Sequence, residues 1–444
     1  MLHKAIFALL HPLWRVYDAL VPKRADYWAF ATHHLHTGRF IENQRAVFEQ
    51  VKGDASIRKF IFYRGRAEDF QLEGAINTEV VEHGTLRGLA RLARCRVVFV
   101  THSISMDFSL RWSGRAFSLL KLAMNQRVVV NLWHGIPLKR LFYAANDDTR
   151  KHLDRVPYRS QERRRYAGLI ASSEIDSYAM AAMFFPLNYQ QMWITGLPRH
   201  DFLTTDEARL PRDIRESVEM IRHRRQGRKL VVYAPTYRQT GINPDARYYQ
   251  FSDDEIARLK AVLRANGAIL GYRPHYFKNS REYFNLDQYI DNDLILDCSQ
   301  AVIPEFAAVA RECSLLVTDY SSVYIDTLYL GKPLISFAYD LEHYQTQQDG
   351  LLYDMSLAFP GPVCRTFTDV LAALETTLAA PSADLAAEQA VARTLFFKYH
   401  DHMNSQRVVE HVRRATAALR ERWRARAPES PAGPSRRTCG RETR

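Results

Sequence analysis

"LLVTDYSSVYIDTLYLGKPLISFAYDLEHY", from Leu315 to Tyr344, carries an apolar run into Asp319, Ser321 and Ser322, then a helical pattern, then a second apolar run. That order describes a buried strand feeding a helix and a further strand. Small hydroxyls at a strand-to-helix junction suit an anion, because the first backbone N–H groups of a helix have no partner within it. Plain N-capping would use the same residue types. Asp326 falls four and five residues beyond the two serines, on nearly the same helical face, among Val323, Tyr324, Ile325, Leu328 and Tyr329. An acid on an otherwise apolar helix needs a partner, and a ribose hydroxyl would serve.

The same grammar recurs on both sides of this stretch. Lys59–Tyr63, Arg96–Ser103, Arg127–Gly135, Gly168–Ser173 and Gln191–Gly196 read as buried strands, with helical patterns such as Phe40–Val51 and Asp176–Phe185 among them. After a polar, charged segment from Thr204 to Arg228, further strands follow at Lys229–Thr236, Ala268–His275, Asp293–Cys298, Ser314–Asp319 and Pro333–Tyr339. The alternation predicts an α/β protein of two Rossmann-like, doubly wound parallel-sheet domains facing a central cleft. The expected division is residues 1–25 as an amphipathic helix, 26–204 and 205–383 as the two domains, 384–424 as C-terminal helices and 425–444 as a disordered Pro/Ser/Gly/Arg tail.

Composition narrows the function classes. With 47% hydrophobic and 25% charged residues, the 444-residue chain has the profile of a folded protein of more than one domain. It has no uninterrupted apolar stretch approaching the roughly 18 residues of a membrane span. The five cysteines lack CxxC spacing, which argues for free thiols in a reduced compartment and against structural zinc. The net charge of +12 favours an anionic partner, and arginine dominates it: 61 basic residues less 12 Lys leaves 49 Arg. No recognised module or aromatic-basic platform points to nucleic acid. Ile6, Leu9, Leu10, Leu13, Val16, Tyr17 and Leu20 recur at helical spacing. Two readings of that segment stand: a helix packed on the body, or one lying at a membrane surface with Trp14 and Tyr17 among the headgroups.

The chemistry-bearing residues sit just past strand ends, where open parallel sheets bind ligands. His134 is followed by Gly135, Pro137 and Lys139; Thr236 and Arg238 follow "LVVYAP"; Arg273 and His275 follow "AILGY". A lone histidine after a strand is usually structural, but two in different domains could share one cleft as base and phosphate donor. No spacing suits a divalent metal, so Arg238, Arg273, Lys139 and a helix N-terminus would supply the positive charge. GxGxxG, GxxxxGK[ST] and GxSxG are absent where they would matter, which removes dinucleotide dehydrogenases, P-loop NTPases and α/β-hydrolases.

Taken together, "FIENQRAVFE" (Phe40–Glu49), "LWHGIPLKR" (Leu132–Arg140), "SSEIDSYAMAAMF" (Ser172–Phe184), "TGLPRHDFL" (Thr195–Leu203), "VVYAPTYR" (Val231–Arg238), "YRPH" (Tyr272–His275), the Val317–Tyr344 stretch and "DHMNSQRV" (Asp401–Val408) resemble the CDP-glycerol glycerophosphotransferase family of teichoic-acid and related polymer synthesis. The resemblance covers about residues 26 to 410. It implies a GT-B arrangement, and transfer of glycerol phosphate or ribitol phosphate from a CDP-linked donor to an acceptor hydroxyl, with CMP released and no cofactor or metal. It further implies a lipid-linked or polymer acceptor, and peripheral attachment to the cytoplasmic face of the bacterial membrane. Carried over by position, His134 and His275 become the catalytic pair. Thr236, Arg238, Arg273, Asp319, Ser321, Ser322 and Asp326 hold the donor, with Asp326 at the ribose, and Lys139 and Arg199 face the acceptor or its phosphates. Two positions depart from the family pattern, Tyr276 after His275 and His402 after Asp401. A GT-B glycosyltransferase using a sugar nucleotide, and a binding protein with an inert cleft, are the competing readings.

Overall fold

The apolar runs assemble into two parallel sheets. The computed structural model describes residues 2–33, 39–64, 70–108, 110–112, 115–117, 122–145, 156–236, 238, 248–275, 285–347, 350–380 and 383–425. Tyr276 and nearly all of the 425–444 tail lie outside these residues. The first sheet holds β1 (Arg24–Ala31), β2 (Arg58–Tyr63), β3 (Thr78–Glu82), β4 (Cys95–Val100), β5 (Val128–Asn131), β6 (Gly168–Ala171) and β7 (Met192–Ile194), in the order β3-β2-β1-β4-β5-β6-β7. The second holds β8 (Lys229–Ala234), β9 (Ala268–Tyr272), β10 (Ile295–Asp297), β11 (Cys313–Thr318), β12 (Leu334–Phe337) and β13 (Val363–Cys364), in the order β10-β9-β8-β11-β12-β13. Within these two sheets every ladder is parallel, for example Trp28 beside Val97 and Val231 beside Leu315. Val97, Val98, Phe99 and Val100 are all fully buried, as a strand covered by helices on both faces requires.

The ten apolar runs read as strands are strands. Three strands of these two sheets went unread, β1, β3 and β13, as did a separate antiparallel pair, Leu110–Trp112 with Arg115–Phe117. The first matters most, because β1 is central to its sheet. Both sheets reverse strand order between their first and fourth strands in chain sequence, β1 against β4 and β8 against β11. Ligands of doubly wound sheets bind at such switch points, outside the carboxyl ends of the strands.

Side chains tie the two halves together. Glu42, the first residue of α1 (Glu42–Val51), donates its N–H to Glu305 Oε1 at 2.7 Å, and Arg39 donates to the Gln300 carbonyl at 2.9 Å. The last long helix, α2 (Asn404–Arg424), returns to the first sheet and buries Val408, Val409 and Val412. Its leading N–H groups, of Asn404 and Ser405, are received by the Asp201 carboxylate at 2.9 and 2.8 Å. The glycine of "TGLPRH" is required here: Gly196 has φ +77°, and a Cβ on it would stand 1.9 Å from Asn404 Oδ1.

The N-terminal helix, Leu2–Leu20, turns Asp18 inward and an apolar stripe outward. Asp18 is fully buried against Arg127, with Oδ1 2.5 Å from Nη2 and Oδ2 2.8 Å from Nη1. Lys23 joins the pair, and burial, with Arg127 beside it, pulls its pKa down to about 8. Trp14 packs against the core under the first sheet rather than pointing outward with its neighbours. Leu9, Leu13, Val16 and Leu20 remain 58–76% exposed.

Candidate active site

The loop after β5 is built by amides. Asn131 Oδ1 receives the N–H of Trp133 at 2.8 Å, and Asn43 of α1 donates to the carbonyls of Leu132 and Trp133 at 2.9 and 3.0 Å. Trp133 is held at φ +43°, a left-handed turn that a tryptophan adopts only when its surroundings impose it. His134 follows that turn. Gly135 comes next, close against the second half: a Cβ there would be 3.3 Å from Ser322 Oγ and 3.4 Å from Arg199 Nη2.

His134, Lys139 and Arg199 from the first half, and Thr236, Arg273, His275, Ser321, Ser322 and Asp326 from the second, line one cleft of about 350 Å³. Arg238 and Asp319 do not. Arg238 is fully buried behind the wall, paired with Asp319 at 2.9 Å and Asp340 at 2.9 Å, over the rings of Tyr320, Tyr339 and Tyr344. Asp319 receives the N–H groups of Thr236 at 2.9 Å and Tyr320 at 2.6 Å. These two expected donor ligands therefore act on the cleft by shaping its wall. A buried arginine needs carboxylates, and those carboxylates fix the loop that presents Thr236.

The remaining donor-side groups differ in how far they are committed. Thr236 Oγ1 is buried and has no hydrogen-bond partner among the described residues. Ser322 precedes the short helix Val323–Tyr329, yet its hydroxyl makes no capping bond, so the ordinary use of a serine at this position is not the one taken here. Arg273 is spent on the carbonyls of Cys298 and Ile303, at 2.8 and 2.9 Å, and burial lowers its pKa to about 10. Lys139 lies over the Tyr344 ring, 5.5 Å from its centroid.

Asp326 is the junction of the site. Its carboxylate receives Arg199 Nη2 at 2.9 and 2.7 Å and lies 2.7 Å from His200 Nε2. Arg199 Nη1 donates to the His134 carbonyl at 2.7 Å. A residue of the second half thus reaches the backbone of His134 through one guanidinium. The partnership joins positions 127 apart in the sequence, which no local pattern reveals. His134 itself is pushed well below the ordinary histidine pKa, first by burial and then by His102, Arg199, His33 and His275. It is a neutral imidazole at pH 7. Among the described residues no group of His, Cys, Asp and Glu is arranged to hold a metal ion.

A sequence profile described as CDP-glycerol:poly(glycerophosphate) glycerophosphotransferase matches residues 20–414. The chain belongs to this family. It is similar to the teichoic acid poly(glycerol phosphate) polymerase of Bacillus spizizenii, at 29% identity over 61% of this chain and 69% of that one. It is also similar to the teichoic acid ribitol-phosphate primase of the same organism, at 23% over 90% and 94%. Against the poly(glycerol phosphate) polymerase of Bacillus subtilis the identity is 29% over 55% of this chain, and the match spans 31% of the relative's length. Among solved structures, a variant of the wall teichoic acid polymerase TagF superposes with a TM-score of 0.71 at 17% identity, covering 92% of this chain and 93% of the other. That likeness carries the fold, a GT-B-like pair of parallel-sheet domains. Membership of the family makes the protein a transferase of the CDP-glycerol glycerophosphotransferase type.

Proposed function

We propose that the cleft transfers glycerol phosphate or ribitol phosphate from a CDP-linked donor to the hydroxyl of a growing cell-envelope polymer. The observation that carries this reading is the meeting of Ser322 and Gly135, which sets the donor-side hydroxyls of the second half one residue from His134. Ser321, Ser322 and Thr236 hold the donor phosphates, and Arg199 faces the charge that builds on them. Neutral His134 takes the proton of the acceptor hydroxyl. The freed oxygen attacks the phosphorus that carries the alditol, and the bond from that phosphorus to the bridging oxygen breaks. CMP leaves with the electron pair, and His275 donates to a phosphate oxygen. Such a transfer needs positioning and charge stabilisation rather than a covalent intermediate.

The test is CMP release from CDP-glycerol and CDP-ribitol with a glycerol-phosphate acceptor in EDTA. Release from one donor, undiminished by the chelator, is the expected result, and the preferred donor names the polymer unit. Turnover of a UDP-sugar in place of both would replace this reading with a glycosyltransferase.

The same reading puts the enzyme on the cytoplasmic face of the membrane, where a lipid-linked acceptor would be met. Support comes from the N-terminal helix, whose exposed Leu9, Leu13, Val16 and Leu20 form an outward apolar stripe on a chain of net charge +12. Deleting residues 1–22 would also remove Asp18 and strand the buried Arg127, so substitution is the cleaner test. Replacing the four stripe residues with serine is expected to move the protein from pelleted anionic vesicles to the supernatant, with CMP release on a soluble acceptor retained. Unchanged pelleting would refute the placement.

A further inference from the structure

Three adjacent strands of the first sheet end in histidine. β1 leads into His33, β4 into His102 and β5 into His134. The rings touch in series: His33 and His102 are 5.6 Å apart between centroids, nearly perpendicular, and His102 and His134 are 5.1 Å apart, inclined by 32°. Trp133 contacts the His134 ring at 4.1 Å. Of these three, His134 alone lines the cleft.

His102 has a fixed carboxylate beside it. Asp107 Oδ2 receives the N–H groups of Thr101 and His102 at 2.6 and 3.0 Å, and Asp107 Oδ1 lies 3.4 Å from His102 Nδ1. The Asp107 carbonyl accepts from Arg64 at 2.7 Å. The Asp107 side chain is 1% exposed. If the loop needed only to fill space behind His134, an apolar ring would do so without desolvating a carboxylate. An imidazole backed by an acid is the arrangement that orients rings and sets their charge in other proton-transfer sites.

We propose that His102, anchored by Asp107, is a positioning residue for His134, holding its ring toward the cleft. This rests on His134 serving as the base. The titratable and charged groups acting on His134 are His102 and His33 from the first sheet, Arg199 beside Asp326, and His275 across the cleft, and Glu42, Lys139, Arg273 and Asp326 line the same cleft. His102 is the one whose ring packs on His134 while a carboxylate holds it from behind.

The experiment compares His102→Ala, His102→Phe and His134→Ala by CMP release, donor KM, the pH profile of kcat/KM, and CDP binding. His102→Ala is expected to lower kcat by about 10- to 100-fold, the scale of a misplaced catalytic group, with CDP affinity near wild type because the donor seat lies in the other half. His102→Phe restores a packed ring and is expected to recover part of the rate. It also removes the His102 contribution that, with burial, holds the His134 pKa down, so protonation of His134 becomes easier and the acid limb of kcat/KM moves to higher pH. Wild-type kcat and an unmoved acid limb in both variants would overturn the proposal. So would loss of CDP affinity and melting temperature in step with activity in His102→Phe, which would make His102 a purely structural residue. If His134→Ala itself releases CMP normally, the fault lies in the role given to His134, and that result is read before either His102 variant.

Discussion

His134→Ala is expected to slow CMP release by about 10²- to 10⁴-fold, the range for loss of a positioned general base, while CDP binding stays close to wild type. Two observations separate the effects. The alanine removes the imidazole, but the loop persists, because Asn43, Asn131 and Arg199 hold its backbone and none of them bonds the His134 ring. The donor-side groups Thr236, Ser321 and Ser322 belong to the other half. Calorimetric titration with CDP and a coupled CMP assay on the same preparation would show both. A matching loss of CDP affinity would instead make His134 a donor ligand. The pH dependence follows from the direction of the shift. With its pKa well below the ordinary 6.5, His134 stays in the base form at neutrality, so the wild-type rate should hold from pH 7 downward and fall only when the pH drops well under 6.5.

Local pattern carried much of this architecture, and the places where it failed have physical causes. Runs such as Val128–Asn131 and Leu315–Thr318 are apolar on both faces, because helices cover both, and that signal survives in one dimension. β1 escaped notice because "RADYWAFA" opens with charges and follows the N-terminal helix after only a short gap, with no β-branched residues to mark it. β3 is half exposed and β13 has two residues, too few to show a period. Within the site, Asp326 came from helical spacing and Arg199 from the resemblance, whereas position past a strand end located His134, Lys139, Thr236, Arg273, His275, Ser321 and Ser322 on the cleft wall, since topology alone brings strand ends together. It misplaced Arg238 and Asp319 by one layer, because a side chain after a strand can turn into the protein as readily as into the cleft, and Asp340 behind the wall decided the direction. Pairings across the halves, Arg199 with Asp326 and Glu42 with Glu305, leave no local trace. His33 and His102 stood in plain view, each two residues beyond a strand, but β1 had to be known before their adjacency to His134 could be seen.

Asp326→Ala is expected to destabilise the protein by about 3–5 kcal/mol, the range for removing one partner of a buried ion pair, and to reduce turnover beyond any change in donor affinity. The carboxylate is 4% exposed and carries Arg199 and His200. Ionised carboxylates only accept, so His200 must present its Nε2–H, and three of the roughly four acceptor directions of Asp326 are taken. One direction is left for a ribose hydroxyl. Its main work in the structure is therefore to hold Arg199 between the halves, with the other end of the guanidinium on the His134 carbonyl. Without the acid, Arg199 keeps its charge in a buried place and loses its orientation. Adding Arg199→Met to Asp326→Ala should then return part of the stability, because the stranded charge goes too, and the two substitutions will be non-additive. Urea unfolding of the four members of this cycle measures the coupling, and donor KM measured alongside separates the two roles. A rise in KM with unfolding midpoints unchanged would leave Asp326 as a ribose ligand alone; a lowered midpoint with partial recovery in the double variant makes it the residue that couples donor seat to base.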